Sequence, residues 1–218
     1  MIQLETVVIS ANKNETNRLE APIVVHVMTP KLFENTNSVC LAQGLSFQPG
    51  LRVETNCQNC GFQQVRINGL DGPYTQLLLD GKALFSSLNG VYGIEQIPTG
   101  MIERVEVMRG GGSALYGANA IGGTVNIITK EPLNNLFMIS HNLTAIGNSA
   151  YDNTTSLNTS LVNSQRDAGI YLFGTSRHRQ HYDHDGDHFS EIGKLKLTTL
   201  GFRSFYKPTS QTKLTLEY

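Results

Sequence analysis

The densest concentration of chemically capable side chains is the run S-R-H-R-Q-H-Y-D-H-D-G-D-H-F-S-E from Ser176 to Glu191. Asp183, Asp185 and Asp187 stand at alternate positions around Gly186, and His178, His181, His184 and His188 are interspersed among them. Carboxylates at this spacing with a glycine for the tight turn resemble part of a calcium loop. Glu191 falls at the ninth position counted from Asp183, not the twelfth that an EF-hand requires. Calcium in the 183–187 loop, a His-dependent transition-metal or haem contact, and a solvated acidic turn are the three readings.

A second pair of reactive groups is Cys57-x-x-Cys60, inside E-T-N-C-Q-N-C-G-F. A redox pair of the thioredoxin type opens a helix, whereas Gln64 to Asn68 alternates like a strand. A zinc site needs four ligands, and no second C-x-x-C or neighbouring His pair completes one. A small disulfide loop suits an oxidising compartment; free thiols or a soft-metal contact are the alternatives. Cys40 lies in an apolar helical pattern and reads as an inert core residue.

The third candidate is glycine-rich. Arg109 to Gly123 holds six glycines in fifteen residues, followed by a strand in which Val125 and Ile127 share one face. A phosphate cradle would need G-x-x-x-x-G-K-[ST], and that order is missing, since Lys130 sits at the far end of the strand. Glycine at this density serves backbone shape. No nucleophile, base and orienter can be assembled from the scattered serines and the loop histidines, so an enzyme is not expected.

The elements that must position these residues fall into two textures. Up to Pro132 the pattern is mixed. Strands are expected at Ile23 to Val27, Gln64 to Asn68, Gln76 to Leu79, Lys82 to Leu84 and Ile102 to Met108. One helix is capped by Thr29 with Pro30 first, and another runs from Ser38 to about Phe47. Asp80-Gly81 supplies the positive φ of a hairpin turn. Val105 and Val107 should face a core, with Arg104, Glu106 and Arg109 directed elsewhere.

After Pro132 the segments Leu136 to Ile146, Thr154 to Val162, Ala168 to Arg177, Leu195 to Tyr206 and Lys213 to Tyr218 have weak alternation and lengths of roughly 10 residues, as barrel strands do. Their connections are Gly147 to Asn153, Asn163 to Asp167, Arg179 to Lys194 and Lys207 to Thr212. If the first strand rises from the periplasm, parity makes the first and third extracellular and the second and fourth periplasmic, and the greater lengths of the first and third agree with that assignment. The last segment stops at Tyr218, while a plugged barrel needs about 22 strands, so a fragment is expected.

Composition sets the outer bounds. The 218 residues are 39% hydrophobic and 16% charged with a formal net charge of -1, which is neither disordered nor basic enough for nucleic acid. No run approaches the roughly 20 apolar residues of a membrane helix. Strands cross a bilayer with weaker hydropathy, because every second residue faces lipid. Met1 is followed by Ile2, Gln3 and Leu4 without a basic region, so numbering from a processed start is expected of an exported protein.

Several ordered motifs resemble one family, the TonB-dependent outer-membrane receptors. They are E-T-V-V-I-S-A at Glu5 to Ala11, V-R-I-N-G-L at Val65 to Leu70, Y-T-Q-L-L-L-D-G at Tyr74 to Gly81, Y-G-I-E-Q-I-P at Tyr92 to Pro98, M-I-E-R-V-E-V-M-R-G at Met101 to Gly110, and Arg109 to Lys130. The C-x-x-C loop resembles the Bacteroidetes branch.

The resemblance implies an α+β plug, a small mixed sheet with short helices, followed by antiparallel transmembrane β-barrel strands. Residues 1–20 would be the TonB box and linker, 21–132 the plug, and 133–218 the first strands of an incomplete barrel. Glu5, Thr6, Val7, Val8, Ile9, Ser10 and Ala11 would engage TonB, working with ExbB and ExbD, from a periplasmic N-terminus. Apical loops at Glu54 to Phe62 and Phe85 to Tyr92 would present Asn56, Gln58, Asn59, Phe62, Phe85, Ser87, Asn89 and Tyr92 to a scarce ligand such as an iron chelate, haem or cobalamin. Arg104, Glu106 and Arg109 would meet a polar barrel wall. No cofactor is required, and the lipid bilayer is an expected partner. A signalling receptor without transport and a soluble Gly-loop nucleotide-binding enzyme are the readings from other classes.

Overall fold

The computed structural model describes residues 8–9, 16–17, 24–57, 62–84, 93–110 and 113–218; for residues 8, 9, 16, 17, 56, 57, 62, 113 and 114 it describes the backbone alone. In chain order the strands are β1 (Val8–Ile9), β2 (Thr16–Asn17) and β3 (Val25–Met28), followed by helices α1 (Pro30–Asn35) and α2 (Leu41–Leu45). Then come β4 (Leu51–Cys57), β5 (Phe62–Ile67), β6 (Thr75–Leu79), β7 (Lys82–Ala83), β8 (Ile102–Arg109), α3 (Ser113–Tyr116) and β9 (Gly123–Thr129). The chain ends with β10 (Leu136–Ile146), β11 (Ala150–Val162), β12 (Ala168–Arg179), β13 (Leu195–Thr209) and β14 (Thr212–Glu217).

Two compact units divide these elements: residues 1–56, 62–95 and 102–129 form one, and residues 57–61, 96–101 and 130–218 the other. The first unit is built on a five-stranded mixed sheet of order β3-β8-β9-β6-β7, in which β6 and β9 run parallel. β8 and β9 are its centre. Val105, Val107, Val125 and Ile127 alternate onto one side of the sheet and are all fully buried, as are Leu41 and Leu45 of α2 at i, i+4 spacing. Gly44 leaves room for the Phe33 ring, which a Cβ there would overlap.

Asp80 and Gly81 take φ of 49° and 76°, the left-handed pair that a tight hairpin turn needs. The turn is clamped to β9. Asp80 accepts from the Thr129 backbone N–H at 2.9 Å and from the Thr129 hydroxyl at 2.6 Å, while Gly81 N–H donates to Asn126 Oδ1 at 2.9 Å.

Glu54 to Cys57 and Phe62, expected in a loop, continue the β4–β5 pair instead. Leu51, Val53, Thr55 and Cys57 alternate with Arg52, Glu54 and Asn56, so the strand is legible as a period-two pattern once the C-x-x-C motif is not taken to mark a loop. The second helix is also shorter than its pattern, five residues rather than Ser38 to Phe47.

The second unit is a five-stranded antiparallel meander in sequence order, β10 to β14. β11 starts at Ala150, so the first connection shrinks from the expected Gly147 to Asn153 to residues 147–149. The second connection, 163–167, is therefore longer than the first, and the length argument for sidedness survives at residues 180–194 alone. Asp152 and Asn153 read as turn residues, but a polar inner face accepts buried Asp152 in a strand.

Alternation along the meander is clear. Asp152, Thr154, Asn158 and Ser160 of β11 and Tyr171, Thr175 and Arg177 of β12 are buried on one face. The opposite face carries Phe137, Ile139, Leu143, Leu157, Leu161, Leu172, Leu200 and Leu216, with Leu200 76% exposed. An apolar face of that extent marks a membrane or partner surface, and its polar-in, apolar-out order matches a barrel wall against hydrocarbon. Among the described residues no helix is long and apolar enough to cross a membrane, so spanning would fall to the strands.

Candidate functional site

The acidic loop is the most complete constellation. Residues 180–194 are drawn into a finger by the Tyr182–Ile192 bridge, with N···O distances of 2.9 and 3.2 Å. Inside it, Asp183, Asp185, Asp187 and Glu191 each offer an oxygen, and these oxygens lie within 4.8 Å of one another. Backbone N–H groups shape the ring: Gly186 and His188 donate to Asp183 at 2.7 and 3.0 Å, Phe189 to Asp187 at 2.8 Å, and His184 to Glu191 at 2.6 Å. Gly186 and His188 reach φ of 79° and 73° to turn the chain so tightly.

Glu191 thus joins the cluster by fold, although its position in a linear count excluded it. Among the described residues none of the loop histidines belongs to the cluster. His184 instead lies 3.2 Å from the Tyr182 hydroxyl.

The charges of β8 have local partners. Arg104 Nε donates to Glu106 Oε1 at 2.8 Å, and Glu106 is fully buried, so it is not part of a solvated face. A buried carboxylate needs such a donor to offset its desolvation. Arg109 belongs to the opposite side, with Val105 and Val107 by strand alternation, and its guanidinium donates to the Pro49 carbonyl beside Gly50. The sequence expectation that grouped all three charges on one side is corrected at Arg109.

Of the N-terminal box, Val8 and Ile9 are described as strand β1, paired antiparallel with Asn17 and Thr16. Glu5, Thr6, Val7, Ser10 and Ala11 lie outside the described residues. So do Gln58, Asn59, Cys60, Phe85, Ser87, Asn89 and Tyr92 from the expected apical loops. Asn56, Cys57 and Phe62 are placed by backbone at the ends of β4 and β5; the Cys57–Cys60 pairing lies outside the described residues. Cys40 is buried at the start of α2, as its apolar setting implied.

Sequence reasoning missed the polar inner face of the meander. Arg177 binds Asp152 through Nε at 3.1 and 3.2 Å and through Nη2 at 2.6 Å, a buried two-pronged pair between β12 and β11. Near the other end, Glu131 receives Lys213 Nζ at 2.6 and 2.8 Å, with Arg203 at 3.7 Å. Period-two polarity could have indicated the face; the pairings depend on strand register.

Comparisons place this geometry. Residues 17–124 match the TonB-dependent receptor plug domain. The chain is similar to the vitamin B12 transporter BtuB of Vibrio vulnificus, 35% identical over 127 residues, which cover 58% of this chain and 21% of that one. BtuB of Vibrio cholerae El Tor Inaba is 31% identical over 126 residues, with the same shares. The siderophore receptor PirA from Acinetobacter baumannii superimposes with a TM-score of 0.72 at 24% identity, covering 88% of this chain and 30% of its own. Pseudomonas aeruginosa FpvA bound to pyoverdine gives 0.73 at 18% identity, covering 96% and 26%. At these identities the two structures show a shared fold. The chain spans about a fifth of the length of the curated relatives it matches. With a plug-type mixed sheet over the matched residues and an antiparallel wall of polar inner and apolar outer face after it, the chain belongs to the TonB-dependent receptors.

Proposed function

We propose that the protein to which this chain belongs is an outer-membrane receptor that takes up a scarce ligand at the expense of TonB-transmitted energy, and that it is not an enzyme. The observation that carries the reading is the plug sequence at residues 17–124 joined to a wall with a polar inner face and an apolar outer one. Glu5 to Ala11 face the periplasm and add a strand to TonB, which works with ExbB and ExbD. The loops around Cys57 and Phe85 contact the ligand. Cobalamin leads the ligand class because the 35%-identical relative is a vitamin B12 transporter; iron chelates and haem follow.

Uptake of radiolabelled cyanocobalamin, a ferric catecholate and haem by cells expressing the complete receptor tests this. Accumulation of one of them should fall to background when TonB is deleted. Accumulation that is equal without TonB, or absent for all three, overturns the reading.

The Asp183, Asp185, Asp187 and Glu191 ring suits calcium, which takes six to eight oxygens and accepts carboxylates in flexible geometry. Four carboxylates held close in an exposed loop repel one another, and a divalent cation relieves that repulsion. Proteolysis within residues 180–194 should slow on adding calcium, by about tenfold at saturation if the loop gains ~1.4 kcal/mol of order. Asp185→Asn with Asp187→Asn should remove the effect, and protection unchanged by chelator counts against calcium.

A further inference from the structure

Strand register fixes what the outward face of the meander presents at each level. Ile139, Leu157, Gly174 and Leu200 are cross-strand neighbours on β10 to β13. The next row towards the 180–194 finger is His141, Thr155, Ser176 and Thr198, and the row beyond it is Leu143, Asn153, His178 and Lys196. On β11 to β13 apolar side chains thus give way to hydroxyls, and then to an amide, an imidazole and an ammonium. Thr155, Ser176, Thr198, His178 and Lys196 are all exposed. Among the described residues no Asp or Glu takes an outward position on β10 to β14, so the charge carried by this face is positive.

Bilayer dimensions assign these rows to depths. A two-residue step is about 6.8 Å along a strand, or roughly 5 Å of height in a wall tilted near 40°. The hydroxyl row therefore stands roughly 5 Å above the last apolar row and the Lys196 row roughly 10 Å above it, against a headgroup layer about 5–8 Å deep. Hydroxyls fall within that layer, and the Lys196 ammonium reaches its outer limit on a flexible stem. His141 is satisfied locally, with Nδ1 2.9 Å from Thr155 Oγ1. Gly174 is not imposed by crowding, because a Cβ there would make an ordinary contact with Leu200 at 3.5 Å. Its bare backbone leaves a shallow furrow between Leu157 and Leu200, directly beneath the hydroxyls.

We propose that the outward face of β11 to β13 binds a phosphorylated glycolipid headgroup of the outer leaflet. Thr155, Ser176 and Thr198 hydrogen-bond its saccharide hydroxyls, His178 and Lys196 donate to its phosphate, and the furrow at Gly174 takes the first carbons of an acyl chain. This rests on the outer-membrane reading above, with the finger turned outward. Hydroxyls facing bare hydrocarbon would be left unsatisfied, whereas a saccharide supplies both donors and acceptors at that depth. Cations on a face without carboxylates attract an anionic headgroup, and a zwitterionic lipid offsets its phosphate with its own ammonium. The site is continuous with the apolar outer face below it, so one lipid meets all three rows.

The test is photo-crosslinking of the complete receptor in phosphatidylcholine nanodiscs that contain isotope-labelled diphosphoryl lipid A. A benzophenone attached through Leu200→Cys lies beside the furrow and leaves the hydroxyl and cation rows intact. Peptide mass spectrometry should find lipid A joined to residues 195–206, displaced by unlabelled diphosphoryl lipid A and not by inorganic phosphate. Lys196→Gln with His178→Gln, both at exposed positions, should lower that yield at least about fivefold, the effect of one cation beside an anionic headgroup. Equal labelling by lipid A stripped of its phosphates, displacement by inorganic phosphate, a crosslink to a second copy of the chain in place of lipid, or a double variant that labels like the parent overturns the proposal. The crosslink needs neither TonB nor a transported ligand, so a failed uptake assay and a failed lipid site are told apart.

Discussion

Val8→Pro is expected to lower TonB-dependent uptake at least tenfold while ligand affinity stays within about twofold of the parent. Strand addition draws its affinity from main-chain hydrogen bonds, and proline removes a donor while fixing φ near −65°. Losing two such bonds, the missing donor and a neighbour displaced by the fixed φ, at ~1 kcal/mol each corresponds to roughly a thirtyfold loss. Among the described residues the segment's own pairing consists of Val8 with Asn17 and Ile9 with Thr16. Val8→Ala keeps the donor and should retain most uptake. Uptake by Val8→Pro at the parent rate would remove Glu5 to Ala11 as the TonB-binding segment.

Arg177→Met should destabilise the wall by about 3–5 kcal/mol, because it strands the Asp152 carboxylate where its side chain is 11% exposed. An exposed pair would be worth at most about 1 kcal/mol, so burial is what enlarges the effect. Adding Asp152→Asn to Arg177→Met should recover a large part of the loss, since a neutral amide costs less to bury than an unpaired charge. Urea unfolding of the complete receptor in lipid vesicles reads both variants as shifts in midpoint at constant slope. A shift below about 0.5 kcal/mol would mean that Asp152 is rehydrated once its partner is gone.

Local signals in the chain were accurate where a single residue type imposes a conformation. Pro30 opens α1, Asp80-Gly81 forms the left-handed turn, and Leu136 to Ile146 is β10 at the expected bounds. They were inaccurate where a neighbour decides. β4 alternates but runs into the polar N-C-Q-N-C stretch that reads as a loop, β11 begins four residues before its apolar pattern does, and α2 is half the length of its pattern. Each depends on what lies beside it: β5, a polar inner face, and the turns that close around Ser46.

By itself, then, the sequence determined the class of the protein. The ordered motifs from Glu5 to Lys130 identify a mixed-sheet plug by family resemblance, and the strand-length segments after Pro132 read as barrel wall because turn chemistry and apolar period are properties of residues near one another in the chain. Tertiary structure decided the pairings. That Arg104 satisfies Glu106 while Arg109 turns to Pro49, that Glu191 completes the acidic ring, and that Tyr171 reaches Gly100 across 71 residues all follow from strand register and loop closure. Those depend on long-range hydrogen bonding and on which charges lose their water, and neither is encoded in local spacing.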